Sequence, residues 1–232
     1  MRLDKLLRER GIATRRQVRA LTAAGRVTVN GLPAESYCME VTASDTVAVD
    51  GVTVEQTAPV YLLLHKPVGC VTATRDDSEQ TVLDLLGPPY DSMALFPVGR
   101  LDKASEGMLL LTNDGKFCAR VIDPVHHVEK TYYIEVGRPF SPDTEERFAR
   151  GITFPDGTQC RPAGILVSPD RMSAYVTITE GKTHQVRRMS MACGSRVSRL
   201  KRISIGGLTM EDTLLPGQYR ELTEEEVNLI FA

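Results

Sequence analysis

The 232-residue sequence lacks the cysteine pattern of a structural zinc site. Its five cysteines are scattered, odd in number and without a Cys-X-X-Cys spacing. They stand at positions 38, 70, 118, 160 and 193. This usage favours a reducing compartment and argues against structural zinc, so we expect no bound metal.

Apolar runs long enough to cross a bilayer are also missing. The N-terminus is charged from Arg2 onward and has no apolar core of the kind found in signal peptides. We therefore expect a soluble, cytoplasmic protein with no membrane partner. Nothing in the sequence indicates an obligate oligomer, so a monomer is the expectation.

Net charge is nearly absent as well, since the formal value is −2. The basic residues are nevertheless concentrated in two blocks, residues 1–30 and residues 181–202. The second block contains no acidic residue, whereas acidic residues gather elsewhere, as at Glu224–Glu226. Such an asymmetry in an almost neutral chain favours a polyanionic partner.

The first fifty residues predict two short helices followed by strands. Leucines at positions 3, 6 and 7 share a helical face, and Thr14 with Gln17 forms the pattern of a capping box. Asn30-Gly31 and Asp50-Gly51 are hairpin turn signals. The order of segments 2–7, 11–16 and 25–31 resembles the S4 RNA-binding domain, which implies RNA binding without chemistry.

We place an S4-like domain with its linker at residues 1–58 and a second domain at residues 59–232. Candidate RNA contacts come from both basic blocks. In the first they are Arg2, Lys5, Arg15, Arg16, Arg19 and Arg26, and in the second Lys182, Arg188, Arg199, Lys201 and Arg202.

Many short strands with a few interspersed helices predict a mainly antiparallel α+β fold for the second domain. Ser141-Pro142 is the expected start of one helix, and Thr183 is the expected N-cap of another that runs to Cys193. Tyr132 and Tyr133 are neighbours on a predicted strand and point to opposite faces. One of them is expected in the core, and the other is free to enter a site.

A loop at residues 99–107 carries Asp102 between two glycines, Gly99 and Gly107, at which the backbone can bend. The loop leads into a buried strand, Met108–Leu111. A carboxylate is costly to hold beside such a strand unless it is paired. From the residues alone, Asp102 is either a structural ion-pair member or a working group.

Three segments then match one family in order: residues 99–115, residues 129–132 and residues 181–189. Together with the S4-like start they resemble the ribosomal RNA pseudouridine synthases. The resemblance implies an enzyme that isomerises a uridine of rRNA to its C5-glycoside without cofactor or metal. His126-His127 and the ending at residues 215–223 resemble most the members that act on small-subunit (16S) rRNA.

The resemblance also implies roles for single residues. Asp102 is the essential carboxylate and Arg187 pairs with it, while Tyr132 stacks on the base and is a possible C5 proton acceptor. Candidate substrate contacts are Arg100, implied in flipping the uridine, Leu200 as a pocket wall, and Lys130, His184 and Gln185. Whether the carboxylate attacks C1′ or removes a sugar proton stays open.

Three alternatives remain at this point. A large-subunit (23S) rRNA pseudouridine synthase would share the chemistry and differ in target. A non-catalytic S4-type assembly factor would explain the basic blocks but not the three matched segments. A glycosidase usually needs two carboxylates flanking the bond, and the sequence offers one convincing candidate.

Overall fold

The structure is a computed structural model that describes residues 1–10, 12–42, 44–54 and 58–232. It divides into two compact units, Met1–Pro59 and Val60–Ala232. The sequence put the boundary after residue 58. Residues 55–57, inside the stretch 51–60 that was expected to run from a short strand into a linker, lie outside the described residues, as does Gly11 of the S4-like pattern.

The first unit is a pair of helices beside a small antiparallel sheet. Its strands are ordered β2-β1-β3-β4. The elements are α1 (Leu3–Glu9), α2 (Arg15–Ala23), β1 (Val27–Val29), β2 (Leu32–Pro33), β3 (Val47–Val49) and β4 (Val52–Val54). The side chain of Thr14 caps α2 in the expected capping box with Gln17. Asn30-Gly31 and Asp50-Gly51 form the two tight turns with positive φ, as their sequences predict.

The second unit, described without gaps from residue 60 onward, is built on one sheet of nine strands. The strand order is β13-β5-β7-β11-β8-β10-β9, with β6 added to β7 and β12 added to β11. The strands are β5 (Tyr61–Lys66), β6 (Phe96–Val98), β7 (Glu106–Thr112), β8 (Lys130–Val136), β9 (Gly164–Val167), β10 (Ser173–Ile178), β11 (Val197–Ile205), β12 (Leu208–Thr209) and β13 (Tyr219–Glu221). The helices are α3 (Gly115–Ile122), α4 (Thr144–Arg150), α5 (Gln185–Ala192) and α6 (Glu224–Leu229).

The pairings of this sheet are antiparallel except for β7 with β11, which run parallel. Gly107 makes this contact possible. It has φ +108°, and a Cβ there would lie 2.2 Å from the carbonyl oxygen of Arg202. No residue with a side chain fits so close to another backbone. The contact brings the loop before β7 next to β11.

Two helix starts differ from the sequence expectation. Ser141 does not cap α4; it closes a turn by accepting a hydrogen bond from the amide of Thr144 (3.1 Å), and the helix begins at Thr144. Thr183 does not cap α5, because the chain first turns at His184, whose left-handed φ of 53° cannot be helical. That helix begins at Gln185 and ends before Cys193.

No helix within the described residues is both long enough and apolar enough to span a bilayer.

Candidate active site

The backbone that carries Asp102 is held by a hydroxyl from a neighbouring segment. Leu101 is buried, and the hydroxyl of Thr72 accepts a hydrogen bond from its amide (3.2 Å) and donates one to its carbonyl (2.7 Å). Gly99, with φ +76°, lets the chain turn into this position. Both peptide groups that flank Leu101 are thereby fixed, and Asp102 leaves the loop in a defined direction.

A buried lysine supports the other side of the loop. Lys66, at the end of β5, has no exposed surface and donates from Nζ to the carbonyl oxygens of Ser105 (2.8 Å) and Pro67 (2.9 Å). Burial lowers the pKa of this ammonium. Our sequence reasoning assigned no role to Lys66 or Thr72. The one signal for Lys66 is a charged residue that closes an apolar strand.

Helix α5 brings Arg187 to the same loop, about 80 residues away in sequence. Its Nη2 donates to the carbonyl of Ala104 (2.9 Å) and the hydroxyl of Ser105 (3.1 Å), and its Nη1 donates to the carbonyl of Val197 (3.3 Å). Its Nε is buried without a hydrogen-bond partner and lies 3.9 Å from Oδ2 of Asp102. The guanidinium is therefore fixed by the loop and faces the carboxylate without a direct hydrogen bond.

His184 approaches the carboxylate from the turn before α5. Its Nε2 lies 3.4 Å from Oδ1 of Asp102, and its side chain is 59% exposed. The carboxylate of Asp102 accepts no hydrogen bond from the described residues, and its side chain is 37% exposed. It is the accessible acidic group of this region.

Strands β8 and β11 supply the wall opposite the loop. Tyr132 pairs across the strands with Arg202, and Leu200 pairs with Ile134. Tyr132 belongs to the apolar core and also lines the cavity in front of Asp102, so it has both roles that the sequence divided between two tyrosines. Tyr133 points to the other face, where its ring lies 5.5 Å from that of Tyr175.

These elements enclose a cavity of about 400 Å³. It gathers every residue predicted as catalytic or substrate-binding. They are Arg100, Asp102, Lys130, Tyr132, His184, Gln185, Arg187 and Leu200. Lys182 and Arg202, predicted as RNA contacts, also line it, whereas Arg188, Arg199 and Lys201 do not. A volume of this size accommodates a single nucleotide-sized group.

Two carboxylates line the cavity, and their surroundings differ. Glu180 is buried and accepts hydrogen bonds from the amide of Arg161 (3.0 Å), from Nε2 of Gln185 (2.7 Å) and from the ammonium of Lys182. Burial alone would raise its pKa, but these donors hold the pKa below the usual value. The carboxylate of Glu180 is thus used in hydrogen bonds within the protein, whereas the carboxylate of Asp102 is accessible.

Gln185 contributes to that loop and not to an open surface. Its Nε2 donates to Glu180, and its Oε1 accepts from the amide of Lys182 (2.9 Å). Its side chain is buried, so the amide has no free donor or acceptor pair to offer a substrate. The expected substrate contact is replaced by a structural role.

Arg202 is not a surface contact as predicted, since it is only 3% exposed. Its Nε donates to the carbonyl of Met108 (2.7 Å), and its guanidinium carbon lies 6.0 Å from the ring centre of Tyr132. Register shifts on both sides of residues 199–202 break the simple alternation of β11. These shifts turn Arg202 towards the cavity, a direction that the simple alternation of side chains along a strand would not predict.

Lys130 enters the cavity from the first residue of β8. Its Nζ donates to the carbonyls of Val121 (3.0 Å) and Val128 (2.7 Å). Burial, with a contribution from Arg202, lowers the pKa of this lysine to about 8. The ammonium has a third donor that neither carbonyl uses.

The other basic side chains predicted as RNA contacts lie at or near the surface, many of them in ion pairs. Arg16 and Arg19 are exposed, Lys5 and Lys201 are half-buried. The pairs are Arg2 and Arg15 with Asp4, Arg26 with Asp50, Arg188 with Asp156, and Arg199 with Glu106 and Glu135. Within the described residues, no group of three or more His, Cys, Asp or Glu side chains could hold a metal ion.

Comparison with known proteins assigns the chain to a family. The sequence profile of the RNA pseudouridylate synthases matches residues 60–192, and that of the S4 domain matches residues 1–47. The protein belongs to the RNA pseudouridine synthase family. It is an enzyme of the ribosomal RNA branch, with an S4 RNA-binding domain in front of the synthase domain.

Curated relatives match over nearly the whole chain. An uncharacterized RNA pseudouridine synthase of Bacillus subtilis is 41% identical, covering 99% of this chain and 98% of the relative. Ribosomal small subunit pseudouridine synthase A of Yersinia pestis is 40% identical (98% and 97% covered). The protein of that name from Escherichia coli is 37% identical (98% of each chain covered).

A solved structure supports the same assignment. A crystal structure of a pseudouridylate synthase superimposes with a TM-score of 0.71 at 31% identity and covers 99% of each chain. The α+β fold with an N-terminal S4 domain and a mainly antiparallel synthase domain is thereby confirmed.

Proposed function

We propose that the enzyme converts one uridine of small-subunit (16S) rRNA to pseudouridine, with Asp102 as the catalytic carboxylate. Support for the target class comes from the relatives of Yersinia pestis and Escherichia coli, which carry the name ribosomal small subunit pseudouridine synthase A. His126-His127 and residues 215–223, whose sequences resemble those of the small-subunit enzymes, favour the same subfamily. We place its action in the cytoplasm, where rRNA is processed in bacteria.

One observation carries the catalytic assignment. Of the two carboxylates that line the cavity, Glu180 accepts hydrogen bonds from Arg161, Lys182 and Gln185, whereas Asp102 accepts none from the residues that the structure describes. Asp102 is also held by its backbone and faced by a fixed arginine. A reactive carboxylate needs this combination of a defined position and a free oxygen.

The chemistry starts with the N1–C1′ bond of the uridine. This bond must break, the uracil must turn, and C5 must bond to C1′ before the C5 proton leaves. A carboxylate can bond to C1′ as N1 departs, or it can remove the C2′ proton; both routes bring Asp102 against the sugar. The overall reaction is an isomerisation, so no oxidant, reductant or second substrate is required.

The surrounding residues take matching roles. The fixed guanidinium of Arg187 faces the carboxylate of Asp102, with its Nε 3.9 Å from Oδ2. Tyr132 offers its ring to the base and is a possible acceptor of the C5 proton, and Leu200 packs beside it. Arg100 is exposed at the cavity edge, where it can fill the gap left by a flipped uridine.

RNA affinity comes from phosphate contacts outside the cavity. Exposed arginines such as Arg16 and Arg19 in the S4 domain provide positive charge without reading sequence. Flipping a uridine out of a stack costs a few kcal/mol, and these contacts offset that cost. Binding to a structured rRNA hairpin should therefore weaken with increasing salt.

The test is tritium release from C5-labelled rRNA. Small-subunit and large-subunit RNA are offered separately, each free and as a partly assembled particle, to wild type and to Asp102→Asn. Asp91→Asn is the matched control, because Asp91 is exposed and lies in the same domain.

We expect release from small-subunit RNA with wild type and Asp91→Asn, and none with Asp102→Asn. Release confined to large-subunit RNA would assign the target to the other subunit and overturn the 16S proposal. Undiminished release by Asp102→Asn would overturn the catalytic assignment.

A further inference from the structure

Two cations of the cavity wall, Lys130 and Arg202, have no carboxylate partner. Lys130 donates only to backbone carbonyls, and the hydrogen bond that Arg202 makes also ends on a carbonyl, that of Met108. Neither forms an ion pair within the described residues. Their positions differ in this respect from Lys182 and Arg187, which face Glu180 and Asp102.

An unpaired cation in such a place is costly. Arg202 is 3% exposed, and its Nη2 is buried without a hydrogen-bond partner among the described residues. Burial lowers the pKa of both Lys130 and Lys66, and the charge of Arg202 lowers them further. Removing a cation from water costs several kcal/mol unless an opposite charge offsets it. A fold that retains two such groups side by side leaves them for an anion that arrives with the substrate.

The neighbourhood of Tyr132 indicates which part of the substrate carries that charge. Arg202 is the cross-strand partner of Tyr132, and its guanidinium carbon lies 6.0 Å from the ring centre. Both cations therefore border the surface on which the flipped base is proposed to stack. Phosphates stay at the mouth of a pocket that a flipped base enters, so the base itself has to supply the negative charge.

The base becomes anionic during the reaction. When the N1–C1′ bond breaks, its electron pair stays on N1 and spreads to O2 and O4 of the uracil ring. On the sugar, C1′ then bonds to an oxygen of Asp102, or it forms a double bond to C2′ as Asp102 removes the C2′ proton. C5 then bonds to C1′ as the ester bond to Asp102 breaks, or as the protonated Asp102 returns its proton to C2′. The C5 proton leaves and N1 takes up a proton, which completes the isomerisation.

We propose that Lys130 and Arg202 form an anion-stabilising site for the departing uracil. The inference rests on the proposed role of Asp102 in breaking the glycosidic bond. Uridine bound in the ground state has no such charge, so the two cations act on the barrier and not on RNA affinity. They are catalytic residues in this scheme because they contact the reacting base.

The site should depend on pH through Lys130. With a pKa of about 8 the lysine is charged at neutral pH. It loses its charge, and with it the stabilisation of the uracil anion, as pH rises through that value. The titratable and charged groups that face it or share its cavity are Arg202 on β11, Tyr132 on β8, Arg100 and Asp102 in the loop before β7, Glu180, Lys182 and His184 in the loop before α5, and Arg187 on α5.

The experiment measures single-turnover rates on tritiated 16S rRNA at saturating enzyme, together with the Kd of the same RNA. Lys130→Met removes the charge, and Lys130→Arg retains it at every pH. Lys116→Met is the matched control, since Lys116 is exposed on α3. Arg202→Met serves as a supporting variant where thermal melting shows that it folds.

We expect Lys130→Met to lower the single-turnover rate by about 10²-fold, the loss typical of one removed donor to a developing anion. The Kd should stay within about threefold, because the charge is absent from bound uridine. The wild-type rate should decline above pH about 8, as the pKa of Lys130 requires, and Lys130→Arg should lack this decline.

An unchanged rate in Lys130→Met would overturn the proposal. So would a loss that appears only in Kd, which would make the lysine a phosphate contact, or an alkaline decline that persists in Lys130→Arg. These outcomes are separate from failure of the proposed function, which is recognised by full activity of Asp102→Asn.

Discussion

The basic side chains of the S4 domain and those of the catalytic cavity differ in how their charge is balanced. In the first domain Arg2, Arg15 and Arg26 lie at the surface and pair with nearby carboxylates, while others face water. In the cavity Arg202 is buried and Lys130 is half-buried, and both donate to backbone carbonyls instead of to a carboxylate. Exposed ion pairs cost little to form and contribute little to stability, about 0–1 kcal/mol each.

The difference divides the work of the enzyme. Exposed surface charge provides affinity for RNA phosphates, and salt weakens this affinity. Fixed, buried charge is expensive to fold and acts only on charge that develops inside the cavity. We therefore propose that the same residue types serve binding in one region and chemistry in the other. The predictions below test this division, beginning with the largest effect.

Arg187→Met should lower the single-turnover rate by about 10²–10³-fold while RNA affinity changes little. The reason is that the fixed guanidinium faces Asp102 with a buried, unpartnered Nε. Arg75→Met, which removes an exposed guanidinium from the same domain, is the control and should keep full activity. Equal losses in both variants would mean that long-range charge, and not the fixed arginine, matters.

Gly107→Ala should destabilise the catalytic domain by more than about 4 kcal/mol or prevent its folding. A Cβ there meets the carbonyl oxygen of Arg202 at 2.2 Å, and the backbone has a positive φ. Gly51→Ala in the S4 domain also has a positive φ but meets nothing within 4 Å, so about 1–2 kcal/mol is expected. Urea unfolding of the two variants measures the contrast. Similar costs at both positions would contradict the close approach of β7 and β11.

Thr72→Val should cost about 1–3 kcal/mol and also lower activity, because it removes the hydroxyl that satisfies both peptide groups beside Leu101. Thr22→Val in α2 is the counterpart. Its hydroxyl is buried without a partner, so the change should be neutral or stabilising. Thermal melting and single-turnover rates test both. A Thr72→Val enzyme with unchanged rate would show that Asp102 needs no such anchor.

Arg16→Ala with Arg19→Ala should produce the smallest effect on chemistry. Each lost phosphate contact should reduce the slope of log affinity against log salt by about 0.7–0.9. The single-turnover rate at saturating enzyme should not change, since both arginines are exposed in the S4 domain. Filter binding at several salt concentrations measures the slope. A changed rate at saturation would mean that the two regions are coupled.

Local patterns in the sequence predicted much of the fold. The Thr14 capping box, the Asn-Gly and Asp-Gly turns and the strand at residues 108–111 depend on near neighbours, and the structure contains them. The predicted starts of α4 and α5 were wrong because a local turn, closed by the amide of Thr144 on the carbonyl of Ser141, and a left-handed residue at His184 precede the helices in place of the expected N-caps.

The site was less accessible to such reasoning. Asp102, Tyr132 and Arg187 were assigned from the family resemblance, since no spacing rule joins residues so far apart in the chain. The burial of Arg202 follows from register shifts in β11 that alternation does not reveal. The support from Lys66 and Thr72 depends on how β5 and the segment after it pack against the loop, which is a property of the folded chain.

The most direct measurement is the yield of pseudouridine in 16S rRNA after one turnover with saturating Asp102→Asn, with the Kd of that RNA determined in parallel. We predict a Kd within about threefold of wild type and a rate lower by at least about 10⁴-fold, as for the removal of other groups that act directly on a substrate. Pseudouridine formed at the wild-type rate would contradict it, because the open carboxylate of the cavity would then have no part in the reaction.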